Sequence, residues 1–344
     1  MRTRAEFLIA PRLIRYADLA SMNVGGFHSA TAAETPAEYF ILLENDPFEP
    51  TAADAPVGLP HGFTLKGERR VERGGSAGHK CATAEVLIIH TGRWRLTVGP
   101  DADVSTDLVP GDVVSIPPDL LRRWERLDGE AGFLFIVQGS NAGTPDDGTA
   151  VSESVADERR WVRDGRFIDY SSGTPRLREV AGGRDQSAMR GDALAPYRIN
   201  ARQLTPCESS ALSLRGVAEA GIISPPVTRD GFAKGAIETQ WPHGFNLRSL
   251  MLHSGAYVPR HRRAETEVVL VQTGTLEVSW AEVATMLGAG DVLSMPAGVP
   301  HALRNTTSQP VEAFVVRGSD DPAMPQFDSM PTLEVLKSTY TSAR

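Results

Sequence analysis

The sequence predicts an all-β protein built from two tandem jelly-roll barrels with short flanking helices. Three observations carry that expectation: the chain repeats itself, its apolar runs are short and broken at glycine and proline, and few have a helical period. Pro60-His61-Gly62-Phe63-Thr64-Leu65 recurs as Pro242-His243-Gly244-Phe245-Asn246-Leu247, 182 positions later. The same offset carries His79 to His261, Glu85 to Glu267 and Gly92 to Gly274. It then falls to 179, with Gly111-Asp112-Val113 answering Gly290-Asp291-Val292, as a loop three residues shorter in the second copy requires.

Taken in order, residues 1–35 read as an irregular arm with a short helix around Tyr16–Ser21. The first barrel spans 36–142. It opens with a strand at Glu38–Glu44, broken by Asn45-Asp46-Pro47-Phe48-Glu49-Pro50. Glu85–Leu96 and Glu267–Val278 are strand–turn–strand patterns, β-branched and apolar around Thr91-Gly92 and Thr273-Gly274. Phe133–Ser140 and Glu312–Ser319 close the two copies as matching apolar strands. Asn141–Thr149 is polar and turn-rich, a natural boundary. The segment 143–200, with Trp161, Phe167 and Tyr170, is expected to form short helices and loops across the barrels. The second barrel spans 201–320, and the tail 321–344 contains one or two helical turns at Pro331–Lys337. Open sheet edges would be covered if the two barrels pair about a pseudo-twofold.

The 344 residues, 41% hydrophobic and 23% charged, suit a globular chain of two domains. A net charge of −8 with no basic stripe or tail argues against nucleic acid and anionic membrane as partners. The first twelve residues hold an apolar run of only four, too short for a signal peptide or a span. Two cysteines, Cys81 and Cys207, make no disulfide framework, so a cytoplasmic location is expected. A homodimer is compatible with the sequence, though no particular residue specifies it.

The chemistry concentrates between Gly255 and Asn305. Gly255, His261, Arg263, Glu267 and Gly274 are followed by Gly290, Pro296, Gly298, His301 and Asn305. This spacing resembles the two motifs of the cupin superfamily, and counting both copies the resemblance covers roughly 250 of the 344 residues. It implies a bicupin, a class that includes gentisate and quercetin dioxygenases, oxalate decarboxylases and seed-storage proteins. By that resemblance His261, Glu267 and His301 are the metal ligands. Two histidines and a carboxylate leave open positions suited to Fe(II) and O₂, and accept Mn, Ni, Co or Zn as well.

Arg263 departs from the pattern by standing where the family has its second histidine. It has three readings: a guanidinium that pairs with Glu267 and expels the cation, a fork that binds a substrate carboxylate, or a solvent-facing side chain. Where metal is bound, Arg263 is expected to swing toward the barrel mouth and meet substrate.

The first copy departs further. His79 and Glu85 remain, but Cys81 takes the second-histidine place, Arg122 the last-histidine place and Asp119 a glycine place. Cys81 could ligate a soft metal or act as a small buried hydrophobe. Arg122 is expected to point inward and pair with Glu85 in place of a metal. His61 and His243 suggest turn roles, His28, His90 and His253 structural or surface ones, and Cys207 has no base beside it in sequence.

The resulting expectation is a mononuclear non-haem Fe(II) dioxygenase of a small organic acid or aromatic, with Arg263 as its catalytic, substrate-anchoring residue. Two alternatives stand beside it: a metal-free or structural-metal cupin that senses a small molecule, and a metal-dependent isomerase or decarboxylase.

Overall fold

In the computed structural model, the described residues are 11–20, 37–44, 57–58, 61–75, 79–81, 83–99, 104–118, 120–129, 131–139, 166–169, 176–179, 194–224, 229, 235–239, 241 and 243–328. The chain divides into two units. The N-terminal unit is Met22–Gln203 with Thr239–Gly244, and the C-terminal unit is Met1–Ser21, Leu204–Glu238 and Phe245–Arg344.

Each unit has two mostly antiparallel sheets, and the repeat reappears as one strand order. In the C-terminal unit the larger sheet runs Arg12–Ile14, Val292–Met295, Glu267–Thr273, Val311–Arg317, Asn246–Leu252, Val217–Ile223. In the N-terminal unit it runs Arg198–Asn200, Asp112–Ile116, Glu85–Thr91, Gly132–Gly139, Phe63–Arg70, Ala37–Glu44, Val57–Gly58. The smaller C-terminal sheet is Val283–Leu287, Leu276–Trp280, His301–Arg304, Tyr257–Arg262, Gln326–Phe327. Its N-terminal counterpart contains Val104–Leu108, Trp94–Val98, Arg122–Arg126 and His79–Lys80 in the same sequence of neighbours. The arrangement is a pair of jelly rolls.

The turn glycines hold the hairpins. Gly274 has φ +81°, and a Cβ there would lie 2.6 Å from the Pro310 carbonyl oxygen, so neither backbone nor space admits a side chain.

The segment before Leu204 differs from expectation. Helices were expected, but Arg166–Asp169 and Arg176–Glu179 form an antiparallel hairpin, and Ile168-Asp169 pairs in parallel with His79-Lys80. Arg176-Leu177-Arg178-Glu179 holds one apolar residue among three charged ones, so it shows no strand period in the sequence. Tyr16–Ala20 is a 3₁₀ helix. His28, Asn45–Pro50, Asp119, the boundary 141–149, Trp161, Tyr170 and the tail turns at Pro331–Lys337 lie outside the described residues. No helix is long and apolar enough to cross a membrane, among the described residues.

Side-chain alternation decides what faces inward. Val269 and Val271 belong to the C-terminal core, so Glu267 on the same strand shares their face. Val311, Ala313 and Val315 carry Arg317 inward in the same way, and Leu250 and Leu252 carry Arg248 and Asn246. Val217 brings Glu219, and Leu303 brings His301. Apolar residues therefore fill most of the interior, and one end receives a layer of polar and charged side chains.

Candidate metal centre

Register places this layer. Glu267 lies directly opposite Arg317, and Arg317 opposite Asn246, so three neighbouring strands deliver them side by side. From the other sheet, Tyr257–Arg262 carries a register shift between Val258 and His261. The shift lets Val258 and His261, three residues apart, both face inward. His301 stands opposite His261 on the next strand, just after the turn at Gly298, whose φ is +78°. The His261, Glu267 and His301 ligand atoms all lie within 4.8 Å of one another, and the three residues are buried. Their rings are 4.4 Å apart, centroid to centroid.

Both imidazoles are held in one tautomer. His261 Nδ1 lies 2.8 Å from the Pro259 carbonyl oxygen, and His301 Nδ1 3.0 Å from that of Val299. A carbonyl only accepts, so each Nδ1 carries a hydrogen, and in the neutral ring that a metal requires it is Nε2 that presents the lone pair. Both Nε2 atoms are buried without a hydrogen-bond partner. His301 Nε2 is 3.5 Å from Glu267 Oε1, an electrostatic contact rather than a hydrogen bond. Burial, helped by the neighbouring His301, pushes His261 down to about 4, so it is neutral at pH 7. Two bare imidazole nitrogens beside an ionised carboxylate are a donor set that fits a divalent transition metal.

Arg263 pairs with Glu267, the first of its three readings; the swing toward the mouth is an expectation for the metal-bound site. Its side chain is 1% exposed, its Nε lies 3.1 Å from Glu267 Oε2, and its Nη1 donates to the Ala323 carbonyl oxygen at 3.3 Å. Burial and the like charge of Arg317 lower Arg263 to about 10, which keeps it charged at pH 7. Arg317 Nε donates to the same Glu267 oxygen at 2.7 Å, and its Nη2 to Glu219 Oε1 at 2.9 Å. Arg248 Nη1 reaches Glu219 Oε2 at 3.4 Å, and Ser210 donates its hydroxyl to that oxygen. Burial alone would raise the Glu267 carboxyl, but Arg317 and Arg263 hold it well below the usual carboxylate range. Glu267 thus offers one oxygen to the imidazoles and the other to two guanidiniums.

Arg317, Glu219 and Arg248 escape a motif-based reading of the sequence. Their signal is parity: an arginine or glutamate in step with inward valines and leucines on an otherwise apolar strand.

In the N-terminal unit His79, Cys81 and Glu85 also bring their ligand atoms within 4.8 Å of one another, and a guanidinium joins them. Arg122 is fully buried, and its Nε lies 2.5 Å from Glu85 Oε2. Its Nη1 donates to the Pro117 and Leu120 carbonyls at 3.0 and 3.3 Å. This is the ion pair anticipated when an arginine replaces the last histidine. Cys81 donates its thiol hydrogen to Glu85 Oε1 at 3.2 Å, and His79 Nε2 is 3.4 Å from Oε2. Burial would lower His79, but Cys81 and Glu85 lift it to about 10. Burial would raise Glu85, but Arg122 and His79 hold it far below normal. Two cations therefore occupy the carboxylate that a metal would need.

His79 gives a pH prediction. The folded state keeps its proton up to about pH 10 and the unfolded chain releases it near 6.5, so the stability contributed is complete below 6.5. It is lost as pH rises from 6.5 toward 10. Urea midpoints at pH 6, 8 and 9.5 should fall in order, and His79→Gln should flatten the trend. A wild-type midpoint that does not change would refute the imidazolium.

The remaining expected residues are placed as follows. His243 and His61 are both buried beside glycines of positive φ, Gly244 and Gly62, which agrees with a turn. His243 adds a buried contact, its Nε2 2.8 Å from Ser115 Oγ. His90 packs against Phe133 and Phe135. His253 is exposed, and Cys207 lies 3.1 Å from the Ser209 hydroxyl.

The family described as "Cupin domain" matches residues 249–317, the stretch from Ser249 to Arg317 that contains the whole candidate ligand set. Among solved structures, the salicylate 1,2-dioxygenase of Pseudaminobacter salicylatoxidans is 13% identical, with a TM-score of 0.55 over 90% of this chain and 84% of that one. The formate complex of Lactobacillus farciminis oxalate decarboxylase is 14% identical, with a TM-score of 0.53 over 94% and 92%. The chain shares the two-unit fold of both, and residues 249–317 match a cupin domain. Bacillus subtilis oxalate decarboxylase is likewise similar to this chain, at 14% identity and a TM-score of 0.52 over 94% and 81%. Such identities speak for the fold, and fold leaves the reaction open. No curated protein sequence matches the chain.

Proposed function

We propose that this chain is a metal-dependent enzyme whose C-terminal unit acts on a small organic acid or aromatic, as a mononuclear Fe(II) dioxygenase. One observation carries the reading: the lone pairs of His261 and His301, buried and without hydrogen-bond partners, face one oxygen of Glu267. Buried polar atoms are nearly always satisfied, and a cation is the partner that answers two nitrogen lone pairs and a carboxylate together. A two-histidine, one-carboxylate set favours Fe(II) among divalent metals that leave sites for O₂ and substrate, with Mn, Ni and Zn as competitors.

Bound Fe(II) would supply O₂ activation. The chain's own residues do the rest. Pro259 and Val299 fix the imidazole tautomers, and Arg317 and Arg263 keep Glu267 ionised while occupying only one of its oxygens. The apolar core below the layer excludes water from it.

The ion pair of Arg263 with Glu267 favours a second reading, a metal-free cupin that binds a small molecule. Elemental analysis of protein purified without chelator separates the two. The enzyme reading expects about one transition-metal ion per chain, confined to the C-terminal site, and oxygen uptake with small aromatic acids once Fe(II) is loaded. Absence of stoichiometric metal, with no uptake of added Fe(II), Mn(II) or Ni(II), would establish the metal-free reading instead. Metal without oxygen uptake would point to a decarboxylase or isomerase.

A further inference from the structure

We infer that Arg317 and Asn246 form a carboxylate-binding subsite beside the metal ligands, where the small organic acid taken by this unit is held by its carboxylate. The inference rests on the metal reading above for calling that acid a substrate. The subsite itself is built from protein groups alone.

Two orphaned donors lead there. Arg317 is fully buried, and two of its guanidinium nitrogens are taken, Nε by Glu267 Oε2 and Nη2 by Glu219 Oε1. Its Nη1 is buried without a hydrogen-bond partner. Asn246 is equally buried and lies directly opposite Arg317 on the neighbouring strand, which sets the two side chains next to each other. Its Oδ1 accepts from Arg248 Nε at 2.8 Å, which orients the amide and leaves Nδ2 as the donor. That Nδ2 is also buried without a partner. A metal ion answers the imidazole lone pairs of His261 and His301, but it cannot answer N–H donors. They need an acceptor.

The surroundings select a carboxylate. A water molecule accepts, but it must also place two hydrogens of its own. The acceptors bonded to Arg317 and Asn246, or shared with them, are engaged. Glu267 Oε2 is taken by Arg317 and Arg263, Glu219 Oε1 by Arg317, Glu219 Oε2 by Ser210 and Arg248, and Asn246 Oδ1 by Arg248. Glu265 belongs to another group, with Arg229 and the Ala323 N–H. A carboxylate only accepts, and its two oxygens can take one donor each. The first copy of the repeat is an internal comparison. Thr64 and Gln138 stand at the places of Asn246 and Arg317, in the same cross-strand pairing. Among the described residues, neither has a buried polar atom left without a partner. Orphaned donors at these two places thus accompany the copy with the two-histidine set.

Crystals of the full chain grown with 4-bromobenzoate test this without turnover, because the anomalous signal of bromine locates the ring. The carboxylate is expected at Arg317 Nη1 and Asn246 Nδ2, and bromobenzoate found only elsewhere overturns the inference. In solution, titration calorimetry compares benzoate with benzylammonium, which has the ring but only donors, each with and without Co(II). Benzoate should bind at least about tenfold more tightly than benzylammonium. Asn246→Asp keeps an oxygen for Arg248 and removes the donor, and Asn246→Leu removes both. Each variant, with its fold checked by circular dichroism, should weaken benzoate binding about fivefold or more. Undiminished benzoate affinity in a folded variant, or equal affinity for benzylammonium, overturns the subsite. If neither variant folds, the bromine position decides. Co(II) binding with no benzoate binding overturns the inference and leaves the metal reading standing. Benzoate bound at these two nitrogens with no Co(II) binding in any arm supports the subsite and overturns the metal reading.

Discussion

Replacing His301 with alanine is expected to lower divalent-metal affinity by more than about 100-fold and to abolish metal-dependent activity with it. Among the described residues, His301 is one of two imidazole donors in the layer. Glu267 cannot make up the loss, because Arg317 and Arg263 already hold its second oxygen. The fold should survive. The variant loses one hydrogen bond to the Val299 carbonyl and a ring's worth of packing, a cost of about 1–3 kcal/mol. His301→Gln, closer in volume, guards against misfolding, and His253→Ala, at an exposed histidine of the same unit, should leave metal content unchanged. Metal per chain by elemental analysis, with circular dichroism on the same sample, decides the matter. Full metal occupancy in both His301 variants would remove His301 from the site.

Much of this was legible in the sequence, for identifiable reasons. Strand order followed from the repeat, since two copies offset by 182 and then 179 positions must bury equivalent faces. His261, Glu267 and His301 followed from motif spacing around glycines whose positive φ the structure displays. The pair of Arg122 with Glu85 followed from charge alone, because an inward carboxylate without metal needs a cation. What was hidden depends on register. The inward turn of His261 relies on the shift after Val258, and nothing local in Tyr257-Val258-Pro259-Arg260-His261 announces it. Arg317 meets Glu267 across 50 positions of sequence and Glu219 across 98, so their meeting shows only once the strands are paired. The pairing of Arg263 with Glu267 was one of three readings, and the same dependence on register kept the sequence from choosing among them. Arg317 and Glu219 had to be in view before Arg263 could be seen as part of a buried charge network.

The largest stability effect is expected from Glu267→Gln. The substitution keeps the side chain's size and removes the charge that Arg263 and Arg317 share. Both Arg263 and Arg317 lose their contact with an anion at 3.1 and 2.7 Å. Breaking one partner of a buried pair costs about 3–5 kcal/mol, which for a unit of this size lowers the melting temperature by roughly 10 °C. The cost should depend on pH with a definite sign. Folded Glu267 sits well below its ordinary value of 4.5, so its stabilisation is present above that value. As pH falls below 4.5 the unfolded carboxyl takes up a proton first, and the wild-type advantage shrinks. Melting curves of wild type and Glu267→Gln should therefore lie far apart at pH 7 and converge in acid. A second substitution isolates the cause. Adding Arg263→Gln to Glu267→Gln removes one of the two buried guanidiniums that lost this carboxylate, so the double variant should melt above the single one although it has lost more contacts. Should the double variant melt lower by the sum of two independent losses, buried charge balance does not govern this layer, and Glu267 would be held by packing instead.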